Sequence, residues 1–388
     1  MTQLDQALAY LDQCREEMLF LWETLVRMES PSADPEAIDR LASHLDTYCR
    51  ALGMETEKFR PEGAGTCLAA ATPARALPPI LLLGHMDTVH PVGSFPGGPF
   101  TRRDGCVYGP GVHDCKGGLV MALYVIRALQ HIGYDRRQLR LALVSDEETA
   151  HTLSQGQTVD FLRREAQGCG AAFTFESGLP DGSVVTRRKG GGIVQLQVRG
   201  IASHAGTAPE QGTSAVLEAA RKIVAIQALS DPAHTTFNCG IIHGGTSANV
   251  VPDRCEVSVA LRFHTNRDRD EALSALQSIC GRVETPGTQC TLSPLAGFPA
   301  MEETDRTAAL FALYRDTSTA LGLGTPESVY SAGCSDSAYT TALGIPTLCA
   351  LGVLGQGQHS PDEHAFADSL LPQAKRLAAA ILALPDDF

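Results

Sequence analysis

The chain has 388 residues, 44% of them apolar and 19% charged, with a formal net charge of −13. This is the composition of a globular protein with a large core, and its length favours two domains over one. The acidic balance argues against nucleic acid or an anionic membrane as partner, although a local Arg/Lys pocket can still hold an anionic substrate. No segment approaches the run of about 20 apolar residues that spans a bilayer.

The 12 cysteines are scattered, without a C-x-x-C pair, and the N-terminus Met1-Thr2-Gln3-Leu4-Asp5-Gln6 lacks the basic and apolar regions of a signal peptide. Reduced thiols in a cytoplasmic protein are the expectation.

In chain order, the apolar spacing from Leu4 to Met28 predicts a helix, and a second follows over Pro35–Leu52. Ile80–Leu83 reads as a buried strand ending at Gly84-His85-Met86-Asp87-Thr88-Val89, and a Gly/Pro-rich loop runs from Pro91 to Pro110. A helix is expected over Gly117–Ile132, then strands Leu139–Val144 and Ala171–Phe175, which end at Ser145-Asp146-Glu147-Glu148 and Glu176. Strands alternating with helices imply an α/β sheet, largely parallel, with its site at the strand carboxyl ends.

After Gly182 the pattern changes. Ile193–Val198, Phe237–Ile242 and Cys255–Phe263 alternate as half-buried strands, with helices at Ser214–Leu229 and Asp268–Cys280. That order suits an inserted α+β domain. The chain then returns to the first domain with helix Thr304–Leu321, strand Thr347–Leu351 and helix Leu370–Leu384. The expected division is a catalytic domain over residues 1–182 and 296–388, interrupted by residues 183–295.

Five residues emerge as candidate metal ligands: His85, Asp114, Glu148, Glu176 and His359. Two metals about 3.5–4 Å apart need a bridging carboxylate and a His/carboxylate set on each side. Asp114 sits in a glycine-flanked turn that lets the backbone tuck close, which suits it to bridge. Asp87, two residues from His85, can orient the imidazole. The pair Glu147-Glu148 can divide its roles, one carboxylate on metal and the other free as a general base for amide hydrolysis.

The set Gly84–Val89, Tyr108-Gly109-Pro110-Gly111-Val112-His113-Asp114-Cys115-Lys116-Gly117-Gly118, Ser145–Glu148, Phe175-Glu176, Ala202-Ser203-His204-Ala205-Gly206 and His359-Ser360-Pro361-Asp362-Glu363 resembles, in order, the zinc peptidase family of glutamate carboxypeptidase, aminoacylase, acetylornithine deacetylase and succinyl-diaminopimelate desuccinylase. The resemblance implies a zinc-peptidase-like mixed sheet flanked by helices, with an inserted α+β lid or dimerisation domain. It implies two zinc ions (cobalt or manganese as alternatives), one held by His85, Asp114 and Glu176 and the other by Asp114, Glu148 and His359. Glu147 matches the general base and Asp87 the carboxylate behind His85. His204 matches a lid histidine that, in dimeric members, stabilises the oxyanion in the partner subunit's site. Asn249 and Arg262 match residues that contact a substrate's free carboxylate, and Gly333-Cys334-Ser335-Asp336 matches a loop lining the same pocket.

Three positions depart from the family pattern. Cys115 follows the bridging aspartate, at a peptide bond that the resemblance implies is cis and costly. His113 precedes the bridge, where a larger side chain narrows the pocket. Thr149-Ala150-His151-Thr152 lacks the glycine and small residues usual after Glu148. His90, His113, His151, His234, His243 and His364 are read as carrying no chemistry.

The expected activity is hydrolysis of a small peptide or N-acyl amino acid bearing a free carboxylate, by a homodimer. Release of a C-terminal amino acid, as by a glutamate carboxypeptidase, is favoured. N-acyl-amino-acid deacylation is the alternative, and an inactive peptide-binding relative the remote one.

Overall fold

The apolar run before His85 forms the strand Leu77–His85, whose last six residues are all buried. The computed structural model describes residues 1–388. In it this strand pairs in parallel with Arg137–Val144 on one side and Ala171–Thr174 on the other. The latter pairs in parallel with Thr347–Leu348. Strands buried on both faces read as continuous apolar runs, which is why these were legible.

The outer part of the sheet departs from the largely parallel order read from the strand–helix alternation and agrees with the mixed sheet that the resemblance implies. Cys67–Ala71 and Glu55–Phe59 extend it past Arg137–Val144, both antiparallel, giving a mixed six-stranded sheet. The predicted N-terminal helix is also two helices, Gln3–Gln13 and Arg15–Arg27, meeting at Cys14.

The chain forms two compact units. The first comprises Met1–Arg187, Met301–Ser331 and Ser335–Phe388, and the second Arg188–Ala300 with Ala332–Cys334. In the first unit the helix Gly117–His131 is buried along nearly its whole length. Gly118 permits this: a Cβ there would lie 2.5 Å from Phe175 Cβ and 2.7 Å from the Phe175 carbonyl oxygen. The helix therefore lies against the backbone that leads into Glu176.

The second unit has an antiparallel sheet in the order Thr235–Gly244, Arg254–Phe263, Gly190–Arg199, Gln289–Leu292, with Ala296–Phe298 also paired to Gly190–Arg199. Val194, Leu196, Val257, Val259 and Leu261 form one buried face, which packs with Ala219 and Ile226 of helix Ala215–Gln227 and Leu276 of helix Asn266–Gly281. The period-two alternation seen in the sequence is this face.

No helix is long and apolar enough to cross a membrane.

Candidate metal centre

His85 ends its strand, and Asp87 follows where the backbone leaves the sheet. Asp114 lies in the tight turn Val112–Lys116, entered through Gly111 at φ 71°, a left-handed conformation open to glycine at no steric cost. The Asp114–Cys115 peptide bond is cis. The buried Trp22 indole donates to the Val112 carbonyl at 3.0 Å and fixes the start of this turn.

A residue without an assigned role in the sequence holds the same turn from the other side. The Glu363 carboxylate accepts from the backbone N–H groups of Gly111 (3.1 Å), His113 (2.9 Å) and Asp114 (3.1 Å). Its Oε2 also lies 3.0 Å from His90 Nε2, so His90 has a partner inside the site. The signal for Glu363 was its place in the motif that begins at His359.

The five candidate ligands converge as two groups sharing Asp114. Donor atoms of His85, Asp114 and Glu176 lie within 4.8 Å of one another, and so do those of Asp114, Glu148 and His359. His85 Nε2 is 3.0 Å from Asp114 Oδ1, and His359 Nε2 is 2.9 Å from Glu148 Oε2 and 3.5 Å from Asp114 Oδ2. Glu147, buried beside Glu148, belongs to neither group.

Asp87 does more than was expected of it. His85 Nδ1 is 3.0 Å from the Asp87 backbone carbonyl and 3.5 Å from its carboxylate, so the main chain makes the closer contact. The carboxylate accepts the backbone N–H groups of Glu147 (3.2 Å) and Glu148 (3.1 Å) and the Ser32 hydroxyl (2.7 Å). It thereby ties the histidine-bearing strand end to the two-glutamate turn. Ser335, expected to line a substrate pocket, is fully buried and donates to Glu176 Oε1 at 3.0 Å.

His113 does not project into open space. It is buried, its Nε2 lies 3.0 Å from the Gly178 carbonyl, and burial pushes its pKa down. Cys115 is also buried, its Sγ 3.3 Å from the backbone of His85, and burial pushes the thiol up to about 11. His151, read as inert, spans two carboxylates: Nδ1 is 3.2 Å from Asp146 and Nε2 is 2.6 Å from Asp336. Burial disfavours its charged form, but Asp336 and Asp146 outweigh it and raise the pKa to about 10.

The electrostatics fit a divalent cation. Burial, then the charge of Glu176, raises Glu147 well above the ordinary carboxylate range. Glu148 is raised by burial too, with the charge of Asp114 adding to it. Burial also opposes ionisation of Asp114, yet hydrogen bonds with His359 and His85 hold it well below the usual range. Hydrogen bonds to Asp114 and Glu148 raise His359 to about 10. Several buried or half-buried carboxylates, the buried His85 and the exposed His359 thus crowd one site, the donor set and charge that zinc or a similar ion satisfies.

In the second unit, His204 is exposed and its Nδ1 accepts from the backbone N–H groups of Gly206 and Thr207, both at 3.1 Å. A neutral ring then carries its proton on Nε2. Asn249 is fastened beside it, its backbone carbonyl accepting from Ala205 N–H at 2.9 Å. Arg262 is exposed on the strand Arg254–Phe263, opposite Gly191, where a Cβ would collide with its guanidinium. Arg188 Nη1 donates to the Gly333 carbonyl at 3.1 Å.

Residues 81–383 match peptidase family M20/M25/M40. The chain belongs to this family. Carboxypeptidase G2 of Pseudomonas sp. (strain RS-16) is 28% identical over 370 residues, which cover 93% of this chain and 87% of that protein. A succinyl-diaminopimelate desuccinylase of Xylella fastidiosa is 28% identical over 314 residues, covering 76% of this chain and 80% of the relative. The fold is shared with an M20 family metallo-carboxypeptidase of Sulfolobus solfataricus (TM-score 0.76, 17% identity, 95% of this chain and 99% of that one). An aminopeptidase PepT of Bacillus cereus shares it as well (TM-score 0.75, 22% identity, 95% and 98%). As an M20 member the chain is a hydrolase of peptide or acyl-amino-acid bonds.

Proposed function

We propose that this M20 hydrolase is a two-zinc enzyme that releases a C-terminal amino acid, glutamate above all, from a peptide or N-acyl amino acid. One observation carries the reading: two ligand groups share Asp114, while Glu147 lies beside them and belongs to neither. The similarity to carboxypeptidase G2 over 93% of the chain supports the choice of substrate.

His85, Asp114 and Glu176 would hold one ion, and Asp114, Glu148 and His359 the other. When bound, the ions supply Lewis-acid polarisation of a carbonyl and a lowered water pKa. Glu147 takes a proton from the attacking water and delivers it to the leaving nitrogen. Asp87 keeps Glu147 in place through its backbone N–H, and Ser335 keeps Glu176 in place through its carboxylate. His204 donates from Nε2 to the developing oxyanion. Arg262 and Asn249 receive the free carboxylate of the substrate.

His204 acts across a homodimer in this reading. Leu217, Val224, Ile241 and Ile242 support it, as exposed apolar side chains on a helix and an edge strand of the second unit.

Zinc-loaded protein is expected to hydrolyse an N-acylglutamate with an aromatic acyl group faster than N-acetyl amino acids. The reverse order favours the deacylase alternative. No hydrolysis of either, by protein holding its metal, removes the proposal.

A further inference from the structure

A cavity of about 480 Å³ adjoins the metal centre in the first unit, with Glu148 in its wall. It is open to solvent and lined by three segments: Pro31–Asp34, the Thr88–Val92 stretch after Asp87, and Glu148-Thr149. Its floor is firmly built. Pro31 bridges to Thr88 in parallel, Ser32 N–H donates to the Thr88 carbonyl at 3.1 Å, and Thr88 N–H donates to the Ser30 carbonyl at 3.0 Å. A volume of this size suits a small-molecule group larger than acetyl.

The lining is mainly apolar, from Pro31, Ala33, Val89, Pro91 and Val92, and Val92 is 58% exposed. No Lys or Arg lines the cavity, and its charged members are Asp34 and Glu148. A further carboxylate stands close by, since Glu29 accepts the backbone N–H of Gly93, next to Val92, at 2.9 Å. Thr88 is 2% exposed and its hydroxyl has no hydrogen-bond partner. That hydroxyl is closed to solvent, and those of Ser32 and Thr149 already donate to Asp87 and to the Asp146 carbonyl, so the lining lacks the several donors that a carboxylate needs.

We infer that this cavity is the acyl subsite of the enzyme and that it selects neutral, apolar acyl groups, branched or aromatic, while rejecting acyl groups that carry a carboxylate. The inference rests on the proposed function, because it takes Glu148 as a metal ligand beside the scissile bond. It separates this chain from a desuccinylase, whose acyl group ends in a carboxylate. Specificity comes from an attractive apolar wall together with the repulsive carboxylates of Asp34 and Glu29, which no metal neutralises.

The test holds the released amino acid constant and varies the acyl group: N-benzoyl-, N-pentanoyl-, N-acetyl- and N-succinylglutamate. Because each methylene in an apolar pocket changes kcat/KM by about 10-fold or more, N-pentanoyl is expected to exceed N-acetyl by at least that factor. N-succinyl, similar in length to pentanoyl, is expected to fall below both.

Two variants probe the wall and the rim. Asp34→Asn keeps a side chain able to cap the helix that starts at Pro35 and is expected to raise the succinyl rate several-fold. Val92→Arg is expected to raise it further and to lower the pentanoyl rate. Calorimetric binding of N-benzoyl- and N-succinylglutamate to the Glu147→Gln protein reads the same preference without turnover.

Succinyl and pentanoyl substrates cleaved at equal rates, or a ratio unmoved by Val92→Arg in an active enzyme, would overturn the subsite and leave the proposed reaction standing. Metal-replete protein that cleaves none of the four would instead overturn the reaction itself.

Discussion

Glu363 shows how much of this site depends on a side chain that is not itself a ligand. It receives three backbone N–H groups of the turn that carries Asp114. Glu363→Ala leaves those donors buried and unmatched, at a cost of about 3 kcal/mol in chemical denaturation. With Asp114 loosened, metal affinity should fall about 10- to 100-fold in a chelator competition. A variant with unchanged stability and affinity would show that the turn holds itself. The sequence pointed to five candidate ligands because metal chemistry restricts residue type and spacing. It left Glu363 and His151 without roles because the turn at positions 111–114 and Asp336, the second carboxylate on His151 beside the nearby Asp146, come near only through the fold.

His151 also gives a pH dependence. Its pKa is raised from the ordinary imidazole value near 6.5 to about 10, with Asp336 and Asp146 outweighing burial. A raised folded-state pKa contributes stability that is complete below about pH 6.5 and lost as pH climbs toward 10. Metal-free protein should therefore lose thermal stability between pH 7 and 10, and His151→Gln should flatten that slope. An equal slope in both proteins would place the pH dependence elsewhere.

Among the elements, the helix Gly117–His131 matters most to the geometry of the site, because it starts at the Asp114 turn and packs on the strand leading to Glu176. Gly118→Ala puts a methyl group 2.5 Å from Phe175 Cβ. Overpacking of this kind costs about 1–3 kcal/mol and should also weaken metal binding, which calorimetric titration would show. Wild-type stability and affinity would mean that the helix can shift away without cost to the site.

The central strands and this helix were legible because burial on all sides leaves apolar runs. The outer strands were not. Glu55–Phe59 is mostly polar and partly exposed, and Cys67–Ala71 is rich in alanine, a poor strand former, so neither carried a strand pattern. Without them the strand pattern alone read as a largely parallel sheet, and only the family resemblance implied the mixed one. The break at Cys14 was hidden as well, because apolar spacing continues through it into Arg15–Arg27.

Across the whole molecule, the order of motifs carried more information than composition did. Net charge and cysteine count argued against some partners and compartments without identifying a reaction, whereas the ordered His, Asp and Glu segments pointed to one site. The proposed dimer is tested by Val224→Asp on the exposed helix face of the second unit. Sedimentation should show a dimer for the wild type and a monomer with sharply reduced kcat for the variant. A monomeric, fully active wild type would remove the role of His204 across subunits.

The most direct measurement determines bound metal and N-acylglutamate hydrolysis together, in wild-type and Glu147→Gln protein. About two metal equivalents are expected in both proteins, with kcat about 10²- to 10⁴-fold lower in the variant. Loss of a metal equivalent on substituting Glu147, or undiminished turnover without it, would contradict a two-metal site in which Glu147 stands free as the base.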